Sequence, residues 1–428
     1  MDVEPSEATT QATAQRQPLG SSIPSNRRWR LGPGMITAAA AVGASHIVAS
    51  TQAGALFGWQ LWWLLIAVNT LKYPFFRFAT WYSNQTGQDL MQGYAQQGRG
   101  FLLLFFYLNS LAAVVNTAGV LILTASLLRY FLPFEVSLSV LCCGLLLVCL
   151  LLLLIGRYAL LDNLSKWLMV ILTLITLTAL VIAIGNAGTA PLAETAEATS
   201  LSPWALGSLA FLVALMGWMP VPIELAAISS LWLTAKRKLT AFSARQALFD
   251  FNLGYILTAF LALVFMAMGA LIQYGQGQSV ALASRAFVDQ FVSMYASTIG
   301  AWSSWLVAGI AFLCMFGTTL AVLDGYSRSL QRSTELLRWR IQRLSIGYWL
   351  LLQAALGLSI VILMQAALGP MLALAMTLSF ITTPLFAWLN YRLVRQWTMP
   401  AWLRWLARIG LIYLSVFAVA YAAWWLLQ

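Results

Sequence analysis

Charged side chains are scarce in this chain of 428 residues. They make up 9% of the sequence, whereas hydrophobic residues make up 61%. A soluble domain of average composition carries roughly 25% charged residues, so the shortage excludes an ordinary soluble protein. The chain is therefore predicted to be an all-α integral membrane protein, with lipid as its surroundings.

Enzyme and metal-cluster signatures are also missing. The four cysteines stand in apolar runs without metal-ligand spacing, so we expect them to be reduced packing residues; they are Cys142, Cys143, Cys149 and Cys314. The sequence has no zinc-protease helix, no Gly-x-Ser-x-Gly turn and no phosphate-binding loop. No soluble stretch is long enough for a nucleotide-hydrolysing domain. An enzyme and a primary pump are therefore excluded, and no cofactor is expected.

The first thirty residues are polar and lack the apolar core of a signal peptide. We expect residues 1–30 to form a disordered tail and residues 31–428 to form the transmembrane domain. Apolar runs long enough to cross a bilayer, at roughly 20 residues each, occur eleven times. They lie near 33–58, 59–83, 101–128, 134–155, 165–186, 203–232, 249–274, 296–323, 345–366, 369–390 and 405–427.

The basic residues are concentrated in alternate loops. They precede the first span at Arg27, Arg28 and Arg30, and they follow the second, fourth, sixth, eighth and tenth spans. Lys and Arg stay cytoplasmic because they are costly to translocate. We therefore place the N-terminus in the cytoplasm and, with eleven spans, the C-terminus outside. We therefore explain the net charge of +11 by the orientation of the chain in the membrane and not by binding of nucleic acid.

Two spans carry interruptions that break a helix. The first span contains Gly43-Ala44-Ser45-His46, and the sixth contains Met219-Pro220-Val221-Pro222-Ile223-Glu224. Irregular backbone is tolerated at membrane depth only where it lines a cavity. A pair of broken helices, one in each half of the chain, indicates a transporter's binding site. The spans then divide into an inverted repeat of five plus five with one extra helix, over 31–186, 203–390 and 405–427.

His46 is the only histidine, and it directly follows the first break. One interpretation is a core histidine bonded to a neighbouring helix. The other is a substrate contact or proton carrier, since histidine titrates near physiological pH. Ser45 beside it offers a hydroxyl group.

Glu224 directly follows the second break. A carboxylate in mid-membrane normally faces a cavity and has a partner. Pro220 and Pro222 stop the preceding helix, and the helix that resumes has unpaired N–H groups. Glu224 is therefore predicted either to cap that end or to bind a cation or proton, and the two roles are compatible.

Other polar residues accompany these breaks. Asp324 stands four residues before Arg328, which favours a structural ion pair, with a gate or cation site as the alternative. Thr318 is predicted to border the cavity, and Asp250, near the start of the seventh span, is predicted to line an inner exit.

The second and third spans carry polar residues as well. Lys72, Arg77 and Asp89 are expected to anchor the cytoplasmic end of the second span. Asn116 and Thr117 are the polar residues of the third span.

Three segments near the start carry a recognisable pattern. They are Gly32-Pro33-Gly34, Thr51-Gln52-Ala53-Gly54-Ala55-Leu56-Phe57-Gly58 and Thr86-Gly87-Gln88-Asp89-Leu90. The first two resemble the opening of the Nramp family of metal transporters, and the third resembles its Thr-Gly-Lys-Asp-Leu segment. The resemblance implies the LeuT-type fold of the amino acid–polyamine–cation superfamily over spans one to ten.

The chain departs from Nramp at the metal ligands. Where the family has Asp-Pro-Gly-Asn, this chain has Gly43-Ala44-Ser45-His46, and where the family has Met-Pro-His, it has Val221-Pro222-Ile223. A site without these ligands loses its selectivity for soft transition metals. The chain instead resembles a divergent bacterial branch, with Gly217-Trp218-Met219-Pro220 in the sixth span. This implies a multi-pass protein of the bacterial inner membrane.

These observations lead to the hypothesis of a Nramp-related secondary transporter with alternating access and a site between the first and sixth helices. The preferred substrate is a cation such as hydrated magnesium, which keeps several waters and needs few carboxylates, with Glu224 as its tentative ligand. The alternatives are a small organic substrate, such as an amino acid or amine, and a homologue that has lost transport. Symport with a proton or sodium is expected in the first two cases.

The candidate residues form two groups. Those predicted to contact substrate are Gly43, Ala44, Ser45, His46, Trp218, Met219, Val221, Glu224 and Thr318. Those predicted to couple or gate transport are His46, Glu224, Asp324, Arg328 and Asp250.

Overall fold

The computed structural model describes residues 32–155, 158–187, 202–239, 242–275, 284–339, 345–364 and 367–427. The predicted tail, residues 1–30, lies outside this part of the chain. Every regular element in the described ranges is a helix. The all-helical architecture predicted from the sequence is therefore confirmed.

Fifteen α-helices follow one another in the described ranges. They are α1 (Pro33–Ala41), α2 (Thr51–Phe57), α3 (Trp62–Thr86), α4 (Leu90–Gln97), α5 (Arg99–Arg129), α6 (Leu138–Leu154), α7 (Tyr158–Ala187), α8 (Leu209–Trp218), α9 (Leu225–Leu239), α10 (Ala244–Ile272), α11 (Ser284–Ile299), α12 (Ser303–Leu337), α13 (Ile346–Leu363), α14 (Leu368–Val394) and α15 (Ala401–Leu426). A π-helical turn, Ser45–Ser50, precedes α2, and a 3₁₀ turn, Leu206–Ser208, precedes α8.

The helices correspond to the eleven predicted spans. Within the described ranges, seven helices are long and apolar enough to cross a membrane, and the bent pair of α1 and α2 makes an eighth. The other three predicted spans are α3, the 17-residue α6, and the pair of α8 and α9. The chain is therefore a multi-pass membrane protein.

The eighth span differs most from its predicted bounds of 296–323. The chain forms two helices there. Helix α11 ends just before Gly300, and helix α12 continues to Leu337. Gly300 has a φ of +132°, a conformation that favours glycine. After Asp324 the hydroxyl groups of Ser329, Ser333 and Thr334 bond to carbonyl oxygens of the preceding turn, and α12 continues beyond the predicted bound.

Both predicted breaks are confirmed. The first span bends by 48° between Ala41 and Ser45, and the N–H of Gly43 there bonds to the carbonyl of Ala41 at 2.7 Å. The sixth span stops at Trp218 and resumes at Leu225, with extended backbone at Met219. Proline has no N–H to continue the ladder, which explains the second break.

Helices α5 and α12 form the centre of the domain. The most apolar windows of α5 and α12 are 83% and 67% buried, whereas those of α7 and α15 are 28% and 22% buried. Helix α5 packs on α12, α13 and α14. The two breaks therefore lie against interior helices, and α7 and α15 remain at the periphery.

Helix α10 holds both halves of the first span through glycine contacts. A Cβ atom on Gly54 would lie 1.9 Å from the carbonyl oxygen of Met266, and one on Gly254 would lie 2.5 Å from that of Gly34. Small residues allow such close approach of helices in membranes. The bend is thus fixed against one helix on both of its sides.

We predict that Gly54→Ala destabilises the protein by about 2 kcal/mol or more, because the added methyl group overlaps backbone and overpacking is costly. The measurement is the free energy of unfolding in mixed micelles. Gly144→Ala in α6 is the matched control, since nothing lies within 4 Å of its added Cβ. Equal stability of the two variants would contradict the close contact between α2 and α10.

Candidate functional site

A small cavity lies between the two helix breaks. Its volume is about 40 Å³. Its wall is formed by the two breaks with the adjoining ends of α1, α8 and α9, and by α5 and α12. The lining residues are Ala40, Ala41, Ala44, Ser45, Asn116, Val120, Trp218, Val221, Pro222, Leu225, Thr318, Val322 and Tyr326.

Glu224 lies directly behind this wall and is 1% exposed. Its Oε1 accepts hydrogen bonds from the Tyr326 hydroxyl at 2.8 Å and from Asn116 Nδ2 at 3.2 Å. Within the described ranges, its Oε2 accepts no hydrogen bond from another residue. Tyr326 and Asn116 therefore separate the carboxylate from the cavity. The carboxylate acts on the cavity wall through its hydrogen bonds to these two side chains.

The same amide joins the carboxylate to Trp218 at the end of α8. The Trp218 Nε1 donates to Asn116 Oδ1 at 3.1 Å and to Ser379 Oγ at 3.2 Å. One polar network thus connects α5, α8, α12 and α14 at the second break. Sequence reasoning singled out Trp218 and noted Asn116, but it missed Tyr326 and Ser379. The signal for Tyr326 is its place two residues after Asp324, just beyond the apolar run of the eighth span.

Lys72 is the largest departure from the prediction. The expected role as a cytoplasmic anchor is wrong, because its side chain has no exposed surface. Its Nζ donates to the carbonyl oxygens of Met216 at 2.6 Å and Gly217 at 2.9 Å. These carbonyls belong to the last turn of α8, where no intrahelical donor follows. Lys72 also interacts electrostatically with Glu224.

His46 is fully buried and does not line the cavity. Its Nε2 lies 2.8 Å from the Thr258 carbonyl oxygen on α10, and its Nδ1 lies 2.8 Å from Ser45 Oγ and 3.0 Å from the Ala41 carbonyl oxygen. These partners match the core-histidine interpretation. The imidazole joins the first break to α10, while its neighbour Ser45 lines the cavity.

Asp250 does not line an inner exit, contrary to the prediction. Its Oδ1 and Oδ2 accept hydrogen bonds from the N–H groups of Gly32 and Gly34, each at 2.7 Å. These N–H groups open α1 and have no intrahelical acceptor. Asp250 is therefore a cap that one helix provides for another, and it ties the start of the first span to α10.

The remaining candidates occupy separate places. Asp324 forms the predicted i,i+4 ion pair, with its Oδ2 2.8 Å from Arg328 Nε, and neither residue lines the cavity. Thr318 lines it, and a Cβ on Gly43 would lie 2.9 Å from the Thr318 hydroxyl oxygen. Met219 is buried at the break without lining the cavity.

The Thr-Gly-Gln-Asp-Leu segment links three helices away from the cavity. Asp89 caps α4 by accepting from the N–H of Gln92 at 2.9 Å, and it pairs with Arg332 of α12 at 3.1 Å. The N–H of Leu90 donates to Ser230 of α9 at 3.0 Å. Asp89 thus anchors α4 between α12 and α9, while Arg77 donates to Tyr73 at 2.7 Å.

Metal-ligating residues do not cluster in the part of the chain that the structure describes. No group of three or more His, Cys, Asp or Glu side chains could hold a metal ion there. Glu224 is accompanied by amide, hydroxyl and ammonium groups instead. The polar groups that face the cavity itself are all neutral.

We predict that Tyr326→Phe costs about 1.5–3 kcal/mol of stability, because it removes a hydrogen bond to a buried charge. Tyr295→Phe is the matched control, since this tyrosine is equally buried and its hydroxyl pairs with the neutral Thr176 at 3.0 Å. Its expected cost is only about 0.5–1.5 kcal/mol. Unfolding in mixed micelles measures both, and equal costs would argue against a charged Glu224.

Comparison with known proteins gives a relative and a fold. No family model matches the chain. It is 45% identical over 397 residues to an uncharacterized protein of Pasteurella multocida (strain Pm70), and the matched stretch covers 92% of each chain. Among solved structures, a manganese transporter of Eremococcus coleocola matches with a TM-score of 0.68 and 16% identity, over 91% of this chain and 85% of that one.

A second solved structure supports the same architecture. Mhp1, a nucleobase–cation–symport-1 family transporter in a closed conformation with bromovinylhydantoin bound, matches with a TM-score of 0.60 and 14% identity, over 92% of each chain. At these identities the likeness establishes the fold alone. The chain has the LeuT-type fold that the resemblance implied, and it belongs to the same family as the Pasteurella multocida protein.

Proposed function

We propose that the chain is a secondary transporter that moves a small solute across the bacterial inner membrane by alternating access. The cavity between the two breaks is its substrate site. The observation that carries this proposal is the convergence of both breaks on one small cavity with a polar network behind it. Broken helices that meet at mid-membrane are the usual site of substrates in transporters of this architecture.

The cavity favours a small organic solute that is neutral or zwitterionic. Its volume of about 40 Å³ suits a molecule of only a few heavy atoms. Alanine, valine and leucine supply most of the wall, and the polar groups are the neutral side chains of Ser45, Asn116, Thr318 and Tyr326. The charge of Glu224 is opposed by that of Lys72. A site of this kind discriminates by shape and by hydrogen bonds.

A cation such as magnesium is the second candidate. The free Oε2 of Glu224 favours it, because a buried carboxylate oxygen is a good ligand for a hard cation. A fully hydrated magnesium ion carries an octahedral shell of about six waters, which makes it bulkier than a solute of a few heavy atoms. Magnesium would therefore have to bind with part of its water removed.

The orientation and the coupling ion complete the proposal. The basic loops support a cytoplasmic N-terminus and an external C-terminus. A proton or sodium ion is the proposed partner in symport. His46, Asp324, Arg328 and Asp250 act away from the substrate in this proposal, by holding α1, the first break and α12 in place.

We predict that one or more small zwitterionic amino acids raise the apparent Tm of the purified wild-type protein. A ligand at 100 times its Kd stabilises by about 2.7 kcal/mol. Ala44→Leu fills the cavity without removing a polar group, so it should abolish the shift. Ala420→Leu, on the exposed face of α15, is the matched control and should keep it.

The same screen includes magnesium and manganese, with Glu224→Gln as a further variant. A magnesium shift that Glu224→Gln abolishes would select the cation candidate. A manganese shift that survives Glu224→Gln would contradict the site assignment. If no ligand shifts the wild type, the homologue that has lost transport becomes the better account.

A further inference from the structure

We propose that Lys72 is a tethered cation of the substrate site. Its ammonium group takes the place of an inorganic cation at the carbonyl end of α8 and neutralises Glu224, so that the site does not take up a free cation beside this carboxylate. The inference deepens the proposed function by naming the residue that determines the charge of the substrate. Its test measures protein stability and needs no transport.

The first argument is the backbone that Lys72 satisfies. The last four carbonyls of a helix lack intrahelical donors and form the negative end of its dipole. In α8 these are the carbonyls of residues 215–218, and Lys72 Nζ bonds to two of them, those of Met216 and Gly217. A carbonyl end at membrane depth requires a donor or a cation. The ammonium group supplies both.

The second argument is the carboxylate on the other side of the break. Glu224 is buried, and its Oε2 receives no hydrogen bond from another residue. A buried carboxylate without a counter-charge is strongly unfavourable. The Lys72 ammonium group bonds to the end of α8, and Glu224 directly precedes α9, so the two groups of opposite charge stand on either side of the interruption.

The third argument is that the Lys72 ammonium group and the end of α8 are held in place. Lys72 is fully buried on α3, so its ammonium group cannot reach water by a change of rotamer alone. Gly217 also packs tightly on α14, because a Cβ there would lie 2.0 Å from the Met376 carbonyl oxygen. The carbonyl end of α8 is therefore held by α14 and by the lysine.

Carbonyl and carboxylate oxygens are the ligands that hard inorganic cations prefer. A lysine ammonium has one positive charge and three N–H donors and accepts nothing, so it satisfies the same oxygens. Removing the side chain beyond Cβ should leave an anionic space of the length of a propylamine. A small free ammonium ion can then occupy it.

The first test is chemical rescue of Lys72→Ala in the purified full-length protein. Apparent Tm is measured in methylammonium chloride and in choline chloride at the same concentration. We expect the variant to lose roughly 5 °C or more in choline and to recover at least half of that loss in methylammonium. Wild type and Lys238→Ala, which lacks an exposed lysine, should have the same Tm in both salts.

The second test removes both charges together. Lys72→Met alone leaves Glu224 unopposed, whereas Lys72→Met combined with Glu224→Gln leaves a neutral pair. We expect the double variant to be more stable than Lys72→Met, although it carries one more substitution. This non-additivity is the signature of two interacting charges.

Three outcomes overturn the proposal. The first is that methylammonium does not rescue Lys72→Ala, which includes failure of this variant to fold in either salt. The second is that the wild type responds equally to methylammonium. The third is that the double variant is no more stable than Lys72→Met. If rescue occurs while the ligand screen finds no substrate, the tethered cation stands and the transport proposal fails.

Discussion

The structure depends on satisfying the backbone that two broken helices leave unpaired inside a membrane. Hydrocarbon offers no hydrogen-bond partners, so each freed N–H and carbonyl group must find one within the protein. At the second break, Lys72 donates to the end of α8. Asp250 serves the other end of the broken first span, where it accepts from the N–H groups that open α1. His46 joins the first break to α10. The ionisable residues near the breaks therefore serve the backbone first, and only Glu224 keeps an oxygen without a donor from another residue.

This constraint also explains how the cavity obtains its chemistry. The breaks supply short side chains such as Ala44 and Ser45, which leave room, while α5 and α12 supply Asn116 and Tyr326. These two residues bond to Glu224 on one side and face the cavity on the other. The charge stays behind neutral donors and acceptors. A solute in the cavity would thus meet amide and hydroxyl groups first, and the carboxylate only through them.

Much of the architecture could be predicted from the sequence, because length, hydropathy and Gly or Pro interruptions are properties of local segments. The eleven spans, both breaks and the Asp324–Arg328 pair are of this kind. The partners of Lys72 and Asp250 could not be predicted, because each bonds to backbone more than a hundred residues away. The sequence places Lys72 on a helix, but it does not predict which other helix packs against the side that carries Lys72. His46 shows the same limit, since its place after the break suggested the cavity and its ring points to α10.

The central claim is that the space between the breaks is reached by water from each side of the membrane in turn. The most direct measurement is the reaction of Val221→Cys, in a background with the four native cysteines replaced by serine, with a membrane-impermeant thiol reagent in proteoliposomes. The account predicts labelling from either side, and protection by a solute that raises the Tm. Ile47→Cys, buried beside the first break without lining the cavity, should stay unlabelled. Failure of the cysteine at position 221 to react from both sides would contradict the account.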